Sequence, residues 1–202
     1  MRGRSLPARI QAALCRVYGI DGAPTVDDFI RPCEGGIERE VLLLREDEDG
    51  VEVAVHLPQS ALDGHTPLNF DEFCQVIEGV SHFVFLVERA RRELPLTQLE
   101  LELQAEVDKY VVFVHAPHDA RRFEPHRAAR VRARLFDAVS YLDPPGTEKG
   151  DRYRLANDLA ARFSGMLDER FARRGHFEQL LHALRRFYAA GQYEKINLAC
   201  AA

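Results

Sequence analysis

Leu96-Thr97-Gln98-Leu99-Glu100-Leu101-Glu102-Leu103-Gln104-Ala105-Glu106-Val107 admits two readings, and the choice between them decides the fold. Leu99, Leu101, Leu103, Ala105 and Val107 alternate with polar residues, the period of a half-buried strand. Leu, Glu, Gln and Ala, however, are strong helix formers and poor or indifferent strand formers. Thr97 is followed three residues later by Glu100, with Leu96 and Leu101 placed to staple the turn, which is a helix start. Composition and capping together predict a helix over residues 98–114, although Tyr110 to Val114 could end the element as strand.

The same start signal recurs upstream in Leu68-Asn69-Phe70-Asp71-Glu72-Phe73 and predicts a helix over residues 70–92. A short link at Pro95 makes the two helices an antiparallel pair. The upstream helix carries an apolar stripe of Phe73, Ile77, Val80, Val84 and Val87. Its polar stripe is Asp71, Gln75, Glu78, His82 and Arg89, interrupted by Phe85. Around Phe83 to Val87 it is apolar on every side, so it should be covered on every side.

Working outward toward the N-terminus, Arg39 to Glu46 and Val51 to Leu57 flank Asp49-Gly50 and read as a β-hairpin. A two-residue loop centred on Asp49-Gly50 would set Asp47 against Glu52. A four-residue loop instead pairs Arg45 with Glu52, Leu44 with Val53 and Leu42 with Val55, and is preferred. The face bearing Leu42, Leu44, Val53 and Val55 should then be buried. Before the hairpin, Leu6 to Tyr18 is an amphipathic helix stopped by Gly19, and Val26 to Ile30 forms a helical turn after Pro24.

Toward the C-terminus, a helix starting at Pro125 should carry Ala128, Val131, Leu135, Ala138 and Leu142 inward, up to the break at Pro144-Pro145-Gly146. Two more helices follow, one from Tyr153 to Arg173-Arg174-Gly175 and one from Phe177 to Gly191. The expected architecture is α+β: a mostly helical single domain with an N-terminal β-hairpin, a central antiparallel helix pair and a C-terminal three-helix set. Its parts are an N-terminal helix in residues 1–20, the hairpin and helix pair in 37–118, and a helical subdomain in 123–199.

The 202 residues, 46% hydrophobic and 29% charged, suit one globular domain. No apolar run approaches the ~20 residues of a membrane span, and the Arg-rich first residues lack the apolar stretch of a secretory leader. Arg supplies 24 of the 27 basic residues, a bias of GC-rich genomes that suggests a bacterial source. Cys15, Cys33, Cys74 and Cys200 are scattered without metal or redox spacing, so a cytoplasmic setting is expected, with Cys74 a small buried hydrophobe. Residues 1–20 carry a net charge of +4, residues 21–108 carry −15 and residues 109–195 carry +6. Such polarity can join parts of one fold or copies of one chain.

Phosphate-binding glycine loops, a nucleophile elbow and H-E-x-x-H are all missing from the sequence. Three constellations remain. Glu78 and His82 lie one turn apart, and Glu106 on the facing helix can join them as an acid/base or metal group. His115 and His118 have a metal-like spacing, but Pro117 makes the segment a loop, and surface histidines are the default. Arg127, Arg130 and Arg134 share a helix face, with Arg121 and Arg122 before them, and could contact nucleic-acid phosphates. The pI near 5.9 argues against that use. By elimination, the expected function is a non-enzymatic adaptor with no cofactor, binding a protein partner or itself through charge-complementary surfaces. A nucleic-acid binder and a metal-dependent or acid/base enzyme are the alternatives.

Overall fold

Capping groups set the ends of the long helices in the computed structural model, which describes residues 4–33, 39–47, 50–62, 67–115 and 123–201. The Ser5 hydroxyl accepts from the Ala8 amide at 3.0 Å and starts α1 (Leu6–Tyr18). Gly19 ends α1 in the left-handed region, at φ 69°, where a side chain would be strained. A 3₁₀ turn at Val26–Asp28 occupies the place expected after Pro24.

The sheet has three strands, β1 (Ile30–Pro32), β2 (Val41–Asp47) and β3 (Gly50–Leu57), in the order β1-β3-β2. β1 runs parallel to β3 and is an addition to the expected hairpin; three residues are too few to show a period. Hairpin register follows the charge argument, with Arg45 opposite Glu52, Leu44 opposite Val53 and Leu42 opposite Val55. Pairing continues to Asp47 and Gly50, so the connection is two residues long rather than four. The expected buried face is only partly covered: Val55 is fully buried, Leu42 and Val53 are half-buried, and Leu44 is 52% exposed.

A short α2 (Gln59–Leu62) leads to α3 (Phe70–Arg91) and α4 (Gln98–Val114). Both capping boxes form. Asn69 and Glu72 exchange bonds of 3.0 and 2.9 Å, and Thr97 and Glu100 exchange bonds of 3.2 and 2.9 Å. Contacts of Arg89 with Glu100, Ser81 with Asp108 and Glu78 with Lys109 run in opposite chain order, so the pair is antiparallel. α4 stays helical to its end. Where α3 crosses the sheet it carries Gly79, whose hydrogen leaves room that a Cβ would not: such an atom would lie 2.9 Å from Val55 and 3.0 Å from both Leu57 and Glu40. The small residue seats the sheet on α3 and brings Glu40 against it.

α5 (Pro125–Arg132) widens into a π-helical turn at Ala133–Asp137 and stops. The helix stops at Asp137, so Ala138 and Leu142, expected to point inward from it, lie beyond its end: Ala138 is exposed and Leu142 is 77% exposed. α6 (Glu148–Arg170) starts from the Thr147 hydroxyl, and a 3₁₀ turn at Ala172–Arg174 joins it to α7 (Phe177–Ala189). Another helix, α8 (Gln192–Cys200), corrects the expected C-terminal count of three. Gly191, read as a terminator, is the extended residue from which α8 starts.

α4 is packed against α1, α3, α5, α6 and α8. From Glu100 to Val112 nearly every residue of it is buried, charged ones included. The fold is α+β and mostly helical, with one connected apolar core. Among the described residues, no helix is long and apolar enough to cross a membrane.

Candidate functional site

Glu102, Glu106 and Lys109 recur on α4 at steps of four and three, so they share a face, as Cys74, Gln75, Glu78 and His82 do on α3. These faces border a cavity of about 800 Å³ closed on its far side by the π-helical turn and the segment leading into α6. Its apolar wall includes Phe70, Leu135, Val139 and Leu142; its polar wall includes Glu40, Glu78, Glu106, Lys109 and Tyr153. Cys74 also lines it, but burial first, with nearby carboxylates, pushes its thiol up to about 12, which disfavours the thiolate.

Lys109 Nζ lies 2.8 Å from Glu78 Oε2 and 2.8 Å from Glu106 Oε1. Burial works against its charge, but the two carboxylates outweigh burial and hold the ammonium well above its ordinary range. Burial opposes ionisation of Glu78 as well, and Lys109 and then His82 reverse that and hold it low. Behind this triad lie two further pairs of side chains. His82 Nδ1 is 3.2 Å from Glu40 Oε1, with both side chains less than a tenth exposed. Tyr153 neighbours Glu102, whose carboxylate adds to burial in pushing the Tyr153 phenol up. In each pair one member, Glu40 or Tyr153, lines the cavity while its partner sits behind it.

Excess negative charge shapes the titration of the inner members. Burial would lower the His82 pKa, yet Glu40 first, then Glu78 and Glu102, push it up to about 9. Burial pushes Glu102 up to about 7 against the opposing pull of His82. One nitrogen of His82 and one oxygen each of Glu78 and Glu102 lie within 4.8 Å of one another. His82 Nε2 is buried and has no hydrogen-bond partner among the described residues.

Of the three residues expected together, Glu78 and His82 meet, while Glu106 is held by Lys109 on the cavity wall and Glu102, one turn earlier, takes its place. Glu40 and Tyr153 were missed. Glu40 precedes β2 and is fixed by its amide donating to Gln75 Oε1 at 3.1 Å, a contact between residues 35 apart in sequence that no local pattern announces. Tyr153 comes from the first turns of α6, where the sequence marks it only as the start of a helix.

The other expectations fare differently. His118, Arg121 and Arg122 lie outside the described residues. His115 follows α4 directly, stacked on Phe123 and edge-on to Tyr110, and burial pushes it down to about 4, as befits a neutral ring in aromatic surroundings. Arg127 donates to the Phe113 carbonyl at 3.0 Å, and the Arg134 guanidinium lies 3.9 Å from the centre of the Phe70 ring. Two of the three guanidiniums on that face are therefore turned to the protein, and Arg130 is exposed.

A second buried polar network lies on the opposite flank of the helix pair. Asp108 accepts from Tyr18, from Ser81 at 2.6 Å and from Gln104 at 2.8 Å. Lys195 reaches in from α8 to donate to Gln104 Oε1 at 2.6 Å and to the Phe187 carbonyl at 2.7 Å. Burial pushes Lys195 down to about 7, with Asp108 and Glu100 pulling the other way. Every donor named here has an acceptor, and Lys195 is fully enclosed, so this network ties α1, α3, α4, α7 and α8 together.

Comparison with protein-family models, with curated proteins and with solved structures finds no match to this chain.

Proposed function

We propose that the protein is an enzyme whose reaction centre is the polar wall of the cavity between α3, α4 and the segment leading into α6. The observation that carries this reading is the paired arrangement of that wall. Glu40 and Tyr153 line the cavity, and each has a buried titratable group behind it: His82, hydrogen-bonded to Glu40, and Glu102, beside Tyr153. Bracing of this kind orients an acid or base before a substrate arrives. Glu40 and Tyr153 are the candidate catalytic residues; His82 and Glu102 are positioning residues. The facing apolar wall of Phe70, Leu135, Val139 and Leu142 suits a small molecule with one apolar and one hydrogen-bonding end.

Thermal-shift screening of the full chain against a library of small metabolites tests the reading. A true ligand raises the melting temperature of the wild type and loses that effect in Ala138→Trp, which fills the cavity from an exposed position on its rim. Turnover of that ligand should fall at least a hundredfold in Tyr153→Phe. The reading fails when no compound shifts the wild type, or when Ala138→Trp responds equally.

A second reading, self-association through charge-complementary surfaces, is favoured by one observation. Apart from those of Lys109, the ion pairs among the described residues join groups within the acidic stretch 21–108 or within the basic stretch 109–195. The polarity of the chain is thus left largely uncancelled by internal pairing. Light scattering from roughly 50 mM to roughly 1 M salt, over which charge screening shortens several-fold, should then show oligomers that dissociate. A monomer at both ends of the series excludes this reading.

A further inference from the structure

We propose that Glu78, His82 and Glu102 bind a divalent first-row cation, of the Mn²⁺ or Zn²⁺ class. Three observations converge on that site. Ligand atoms of the three side chains already lie within 4.8 Å of one another, so small rotations bring them onto one ion. The nitrogen left over on His82, Nε2, is buried and lacks a hydrogen-bond partner, although an imidazole nitrogen enclosed at 7% exposure normally has one. The opposite nitrogen, Nδ1, is 3.2 Å from the Glu40 carboxylate, the arrangement in which a carboxylate holds the Nδ1 proton and orients the ring, so that a metal displacing the Nε2 proton meets an aligned lone pair.

Charge points the same way. Around the site stand four carboxylates, Glu40, Glu78, Glu102 and Glu106, against the imidazole of His82 and the ammonium of Lys109. With all four carboxylates ionised and both bases protonated, two negative charges are left over in a largely buried space, an excess that a divalent ion matches. One nitrogen and two carboxylate oxygens make a borderline-to-hard ligand set, which selects against soft cations such as Cu⁺. Glu78 both belongs to this set and lines the cavity, so the ion borders the space where the ligand binds. Only that functional role rests on the enzyme reading above; binding itself does not.

The test uses the full chain stripped with a chelator and titrated with MnCl₂ or ZnCl₂ alone, without any organic ligand. Calorimetry should show one ion per chain, the melting temperature should rise, and the spin echo of bound Mn²⁺ should be modulated by an imidazole nitrogen. Glu102→Gln and His82→Gln should each weaken binding at least tenfold, and His82→Gln should abolish the nitrogen modulation. Glu40→Gln should weaken binding less, through misorientation of His82. The proposal is overturned when neither metal saturates the wild type, or when bound Mn²⁺ shows no nitrogen coupling, which needs no variant to fold. A metabolite bound by metal-free protein would uphold the cavity reading alone, and a metal bound without any metabolite would uphold this site alone.

Discussion

His115 shows how much one enclosed ring can weigh on stability. It is buried between Phe123 and Tyr110, its Nε2 has no partner among the described residues, and burial pushes it down to about 4. The unfolded chain takes up the proton near its ordinary value of 6.5, so between pH 6.5 and 4 the unfolded state binds more protons and stability falls as pH falls. His115→Phe keeps the aromatic packing and removes the titration. Denaturation of wild type and variant over that interval should show the difference between them growing by up to about 3 kcal/mol toward acid. Equal pH profiles would mean that the ring protonates freely in the fold. Lys195 carries the alkaline counterpart: burial pushes it down to about 7, so its contribution to stability rises from pH 7 toward its ordinary 10.5.

Among the elements, the start of α4 is where a local signal and a tertiary one share a residue. Glu100 Oε2 accepts from the Thr97 amide, while Oε1 accepts from Arg89, which also donates to the Pro95 carbonyl. Thr97→Ala removes a cap and the exposed bond from the Thr97 hydroxyl to Gln192 Oε1 at 2.7 Å, and should cost about 1–2 kcal/mol in urea denaturation. Glu100→Ala removes the cap and strands a guanidinium that is 6% exposed, and should cost about 3–5 kcal/mol. Similar losses in the two variants would mean that the buried pair contributes nothing. The capping box itself was legible in the sequence because its spacing is local. The alternation from Leu99 to Val107, which composition and capping rightly overrode, has a physical reason: α4 is enclosed on all sides, and its polar residues are paired inside rather than turned to water, so no 3.6-residue stripe is written into it. Glu40 and Tyr153 were illegible because they reach the site through the seating of the sheet at Gly79 and through the docking of α6.

For the whole molecule, enclosure of α4 carries a kinetic consequence. A helix covered by five others can release its backbone amides to solvent only when those neighbours have left, so deuterium uptake along Leu101 to Val112 should be the slowest in the chain and should track global unfolding. Amides of α5 and of the π-helical turn, which is backed by protein on one side only, should exchange well before them. Mass spectrometry of peptic fragments would resolve the two regimes. Should Mn²⁺ or Zn²⁺ be added, the retardation would spread from Glu102 along α4 and across to His82, giving the metal a readout in the timing of the backbone rather than in chemistry.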